Sequence, residues 1–68
     1  MTRTEIKKDM RQALNTQTGF FTVGQICKYV GDSNHGRVKK KYLEGLPRMN
    51  KRYSADDVAE RILEAMES

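Results

Sequence analysis

The run TVGQICKYVGDSNHGRVKKKYLEG, residues 22–45, holds two helix-length apolar patterns divided by a short turn signal. Thr22 opens it, with Gln25 three residues later. That spacing lets each side chain satisfy the other residue's free backbone amide at a helix start. Val23, Ile26, Cys27 and Val30 then fall at i, i+3, i+4 and i+7, one stripe of an amphipathic helix. Gly31 stands where a left-handed C-terminal cap belongs, so the spacing predicts a helix over 22–30. Gly31, Asp32 and Ser33 form the turn, with Asp32 or Ser33 as the cap of the next helix. That helix is expected over about 34–44, stopped by Gly45 and Pro47. On its wheel His35, Val38, Tyr42 and Leu43 share one side, while Ser33, Asn34, Arg37, Lys40, Lys41 and Glu44 share the opposite arc. Gly36 costs about 1 kcal/mol relative to Ala, so this helix depends on packing.

Upstream, Thr2 and Glu5 repeat the capping-box spacing, and Ile6, Met10, Ala13 and Leu14 form an apolar stripe that should end near Thr16. Phe20 and Phe21 are too few for a sheet of their own but apolar enough to anchor a core. Downstream, residues 46–53 read as a small basic hairpin: Leu46, Pro47, Arg48 and Met49 lead to a tip at Asn50 and Lys51, and Arg52 and Tyr53 return. Ser54 is the expected cap of a last helix with Asp56 and Asp57 in its first turn and Val58, Ile62, Leu63 and Met66 as its stripe. The expected fold is therefore mainly α with a small β-hairpin, a winged helix-turn-helix of four short helices and a two-stranded wing. Residues 1–18 supply an N-terminal amphipathic helix packed on a domain of residues 19–68.

With 68 residues and 7.9 kDa there is room for one small core. A chain of this size buries only about 60% of its unfolded surface. Charge is distributed unevenly. Residues 1–18 carry four basic and two acidic side chains, residues 19–53 eight and two, and residues 54–68 one and five. A basic middle followed by an acidic end is the footprint of an anion-binding surface, with nucleic acid ahead of a membrane because no apolar interfacial face accompanies the lysines. The single cysteine, Cys27, excludes an intramolecular disulfide and a cysteine zinc cluster, and it fits a reducing, cytoplasmic setting. No apolar run approaches the roughly 18 residues of a membrane span, and no signal-peptide core is visible.

A helix of this kind fits the DNA major groove, where base edges carry distinct donor and acceptor patterns. Arg37 suits a bidentate contact to guanine and Asn34 one to adenine, each worth about 1–3 kcal/mol of discrimination. Lys41 follows on the same arc as a base-reading candidate that also suits a phosphate. Ser33, Lys40, Arg48, Lys51 and Arg52 are the candidates for the DNA backbone, the last three reaching the minor groove or phosphates from the hairpin. Each has a plainer alternative: a lysine run is also a solvated helix face, and charges on a hairpin also guard a sheet edge from pairing. Tyr42 and Tyr53 sit at core spacing, whereas Tyr29 is open to a phosphate contact. A lone His35 and Cys27 supply neither a zinc site nor an activated nucleophile, and no glycine-rich phosphate loop exists; no enzyme chemistry, cofactor or metal is expected.

The runs FTVGQICKYVG and VKKKYLEGLPRMNKRYSADDVAERI resemble the small excisionase-like and MerR-like winged-helix proteins over about two-thirds of the chain. Gly45-Leu46-Pro47 and the segment from Arg52 to Val58 carry most of the likeness. Family members usually have an apolar residue just after the turn glycine, where this chain has Asp32. The resemblance implies double-stranded DNA binding by a phage or mobile-element protein, with Asn34, Arg37, Lys40 and Lys41 on the recognition helix and Arg48, Lys51 and Arg52 on the wing. It further implies an excisionase-like recombination accessory factor or a transcriptional regulator, with an integrase or other protein, or self-association on DNA, as further partners. A MerR-type regulator normally adds a dimerisation helix and an effector domain, which tilts the expectation to the accessory factor. The rival class is a protein-interaction adaptor that keeps the scaffold and offers the acidic last helix, with Asp56, Asp57, Glu60, Glu64 and Glu67, to a basic partner.

Overall fold

The computed structural model describes residues 2–67. Both predicted capping boxes form. Thr2 accepts from the Glu5 amide and Glu5 accepts from the Thr2 amide, starting α1 at Arg3–Ala13. Thr22 and Gln25 do the same for α2 at Val23–Val30, which ends on a left-handed Gly31 with φ 77°. Each box satisfies two amides that a helix start leaves without partners. The helix α1 is shorter than its pattern suggested. Ala13 is its last residue and is exposed, while Ile6 and Met10 are fully buried and Leu14 half-buried.

The next helix departs from expectation in two ways. It is capped by Asn34, whose Oδ1 accepts from the Arg37 amide at 3.0 Å, and not by Asp32 or Ser33. It also is not one α-helix over 34–44: α3 spans only His35–Val38, and a π-helical turn continues over Lys39–Leu43. Val38 and Leu43 are buried and the three lysines between them are exposed. The wider π turn thus accommodates one apolar anchor at each end and a basic outward arc. His35, expected on the Val38 side, is exposed.

The sheet is the larger correction. Residues 46–53 do not pair with one another as a two-stranded wing. Strand β1, Phe20–Thr22, pairs antiparallel with β2, Arg52–Ser54, in the register Phe20 to Ser54, Phe21 to Tyr53 and Thr22 to Arg52. What remains of the hairpin is a bridge in which Met49 and Arg52 exchange both backbone hydrogen bonds at 2.9 Å. Asn50 and Lys51 between them have φ 51° and 64°, the two left-handed residues of a type I′ turn. Pro47 has no amide to donate, so the chain before Met49 cannot extend a full ladder. Side chains alternate across a strand, so the register partners Phe21 and Tyr53 bury together while Phe20 and Arg52 face outward.

Ser54 is the last residue of β2, and α4 follows directly at Ala55–Glu67. Val58, Ala59 and Ile62 are buried, but Met66, expected on the same stripe, is 58% exposed. Helix α4 packs on α1 and on the π turn, and α2 packs on α3. Ile6, Met10, Phe21, Ile26, Val38 and Val58 form the dry centre that these elements share. Among the described residues the result is mainly helical, with four α-helices and a two-stranded antiparallel sheet.

Candidate nucleic-acid interface

Basic side chains divide into two groups by what they touch. Three of the four on α1 bond within the molecule: Lys7 Nζ lies 2.6 Å from Asp56 Oδ1, Arg3 Nη1 3.9 Å from Glu60 Oε2, and Arg11 Nε donates to the Thr18 carbonyl, while Lys8 is exposed. Helix α1 is thereby tied to α4, and Lys7 holds the Asp56 carboxyl below its ordinary range. Those of the middle segment behave differently. Among the described residues, no ion pair involves Lys39, Lys40, Lys41, Arg48, Lys51 or Arg52, and all six are exposed.

Arg37 is the exception in that segment. Its Nε donates to Asp32 Oδ2 at 2.6 Å and its Nη2 to Asp32 Oδ1 at 2.9 Å. Asp32 also accepts from the Asn34 amide at 3.0 Å. The Arg37 guanidinium and then that amide hold the Asp32 carboxyl at about 2. Asp32, Asn34 and Arg37 thus form one closed polar network at the start of α3. The cap occupies Asn34 Oδ1, so a bidentate adenine contact by Asn34 requires giving up that bond. Sequence spacing could not have revealed Asp32 as the partner of Arg37, because the two residues lie on opposite sides of a helix boundary. Lys41 lies close enough to add its charge to the field at Asp32, and its ammonium sits 5.3 Å from the Tyr42 ring centroid. Ser33 and Lys40 are exposed.

A second cluster surrounds the type I′ turn. Arg48 and Arg52 line a shallow depression of about 250 Å³ together with Phe20, Pro47 and Met49, with Ser54 and the Asp57 carboxylate on its border. Phe20 is 43% and Met49 67% exposed, an apolar patch bordered by guanidinium groups that composition did not reveal. Among the described residues, no hydrogen bond or ion pair joins this cluster to Arg37.

The remaining singled-out residues are structural. Tyr53 is buried and Tyr42 half-buried. The Tyr29 hydroxyl, open to a phosphate in the sequence reading, donates to Asp9 Oδ2 at 2.6 Å. Burial, and then the Asp9 bond, push its pKa up to about 12. Cys27 is buried, and desolvation raises its thiol above the ordinary value. Among the described residues, no group of histidine, cysteine and carboxylate side chains could hold a metal, and no helix is long and apolar enough to cross a membrane. Comparison with known proteins found no matching family model, no matching curated protein and no matching solved structure.

Proposed function

We propose that this chain is a small double-stranded DNA-binding protein of winged helix-turn-helix type. Residues 34–44 enter the major groove and the basic turn within 46–53 meets the minor groove or the phosphates. The resemblance makes it an excisionase-like recombination accessory factor or a transcriptional regulator of phage or mobile-element type. The observation that carries the reading is the unequal use of positive charge. Three of the four basic residues of α1 are engaged inside the molecule, whereas six from Lys39 to Arg52 face solvent with no carboxylate partner among the described residues. Unpaired surface cations are what a phosphate backbone with condensed counterions binds. The two-residue turn with Lys51 adds support, since it presents an exposed charge next to β2. The adaptor reading loses ground, because Asp56 and Glu60 of the acidic helix already face Lys7 and Arg3.

The test is fluorescence anisotropy on a labelled random duplex and the matching single strand across a salt series. Four or five phosphate contacts give a log–log slope of about −4, with duplex preferred. Absence of binding at low salt would overturn the proposal in favour of the adaptor, and preference for the single strand would replace duplex recognition with stacking.

A further inference from the structure

An arginine has five N–H donors, and Asp32 uses two of those on Arg37, Nε–H and one on Nη2. The parallel pair from Nη1 and Nη2 at the tip of the fork faces away from the carboxylate. The Arg37 side chain is 66% exposed and that of Asp32 only 28%, so the tip is presented and its holder is tucked behind it. Asp32 is itself fixed by the Asn34 amide. The guanidinium is therefore aimed before any ligand arrives.

We propose that Asp32 is a positioning residue that pre-orients Arg37 to read guanine through O6 and N7. This rests on the duplex-binding reading above. Two physical points select a base edge over a phosphate. Asp32 neutralises the guanidinium locally and repels a phosphate at close range, whereas the guanine edge is uncharged and carries two acceptors at the spacing of the fork. An arginine already immobilised also loses little rotamer freedom on contact, so discrimination is not spent on ordering the side chain. The exposed cations without carboxylate partners, Lys40, Arg48, Lys51 and Arg52, suit phosphates for the opposite reason.

The experiment is selection from a duplex library with a randomised centre, using the full chain and its Asp32→Asn, Arg37→Lys and Arg37→Ala variants. Anisotropy on the selected duplex and on an unselected one follows. The expected result is a guanine at one position in the wild-type selection, whose replacement costs about ten-fold in affinity. Arg37→Lys loses that preference but keeps its affinity for the unselected duplex and its salt slope, while Asp32→Asn loses the preference and binds the unselected duplex more tightly, because the carboxylate that repelled phosphate is gone. A purely structural Asp32 would lower the melting temperature and leave the base preference intact, which overturns the proposal. Retained preference in Arg37→Lys overturns it too, and that variant preserves charge if Asp32→Asn proves unstable. Failure of the wild-type chain to bind any duplex would instead overturn the reading on which the inference rests.

Discussion

The Tyr29 hydroxyl donates to Asp9 Oδ2 at 2.6 Å, fastening α2 to α1. The folded chain holds this proton up to about 12 against an ordinary value of 10.0. A group whose pKa rises on folding contributes stability that is complete below its unfolded value and is lost as pH climbs through the folded one. Stability should therefore decline between pH 10 and about 12 more steeply in the wild type than in Tyr29→Phe. Phenolate absorbance checks this: Tyr29→Phe is expected to remove one late-ionising component from the wild-type titration.

Adjacent phenylalanines should respond very differently to truncation. Phe21 is 0% exposed and Phe20 43%. Phe21→Ala costs about 3–5 kcal/mol, comparable to all the stability a core of this size supplies. Thermal melts by circular dichroism should show no cooperative transition for Phe21→Ala and a small shift for Phe20→Ala.

Lys51 occupies a left-handed position, φ 64°, where glycine carries no steric penalty. Lys51→Gly should stabilise the chain by about 0.5–1 kcal/mol, the relief of strain less the added freedom of the unfolded chain. The melting temperature rises by about 2–8 °C. If the lysine meets a phosphate, the same variant binds duplex more weakly, with a salt slope shallower by about 1. A gain in stability together with a loss in binding is the expected pair of results.

Arg37 and Arg52 should fail in different ways. Arg37→Ala flattens sequence preference, while Arg52→Ala, like Lys51→Ala, weakens binding about equally on all duplexes and lowers the salt slope. Titrations against several unrelated duplexes separate the two. Equal losses on every duplex for all three variants would remove Arg37 from base reading.

The elements whose chemistry is local were legible without coordinates. Thr2 with Glu5 and Thr22 with Gln25 start helices by bonds within one turn, and the left-handed Gly31 stops α2 by a backbone preference few other residues share. The basic middle and the turn at Asn50 and Lys51 followed from the same short-range information, whereas of the two phenylalanines expected to anchor the core only Phe21 does so and Phe20 is exposed.

Pairings over long separations did not follow from it. Arg52–Ser54 finds its partner in Phe20–Thr22 and not in the residues just before the turn, because Pro47 interrupts the nearer ladder and burying Phe21 against Tyr53 favours the distant one. Apolar periodicity likewise assigns Met66 to a face but cannot say how far the covering core reaches; Met66 is exposed. The π turn at Lys39–Leu43 and the grip of Asp32 on Arg37 belong to the same class. Short-range bonds specify where α1 and α2 begin and where α2 ends, whereas strand partners, side-chain exposure and the extent of the other helices depend on which elements meet across the core.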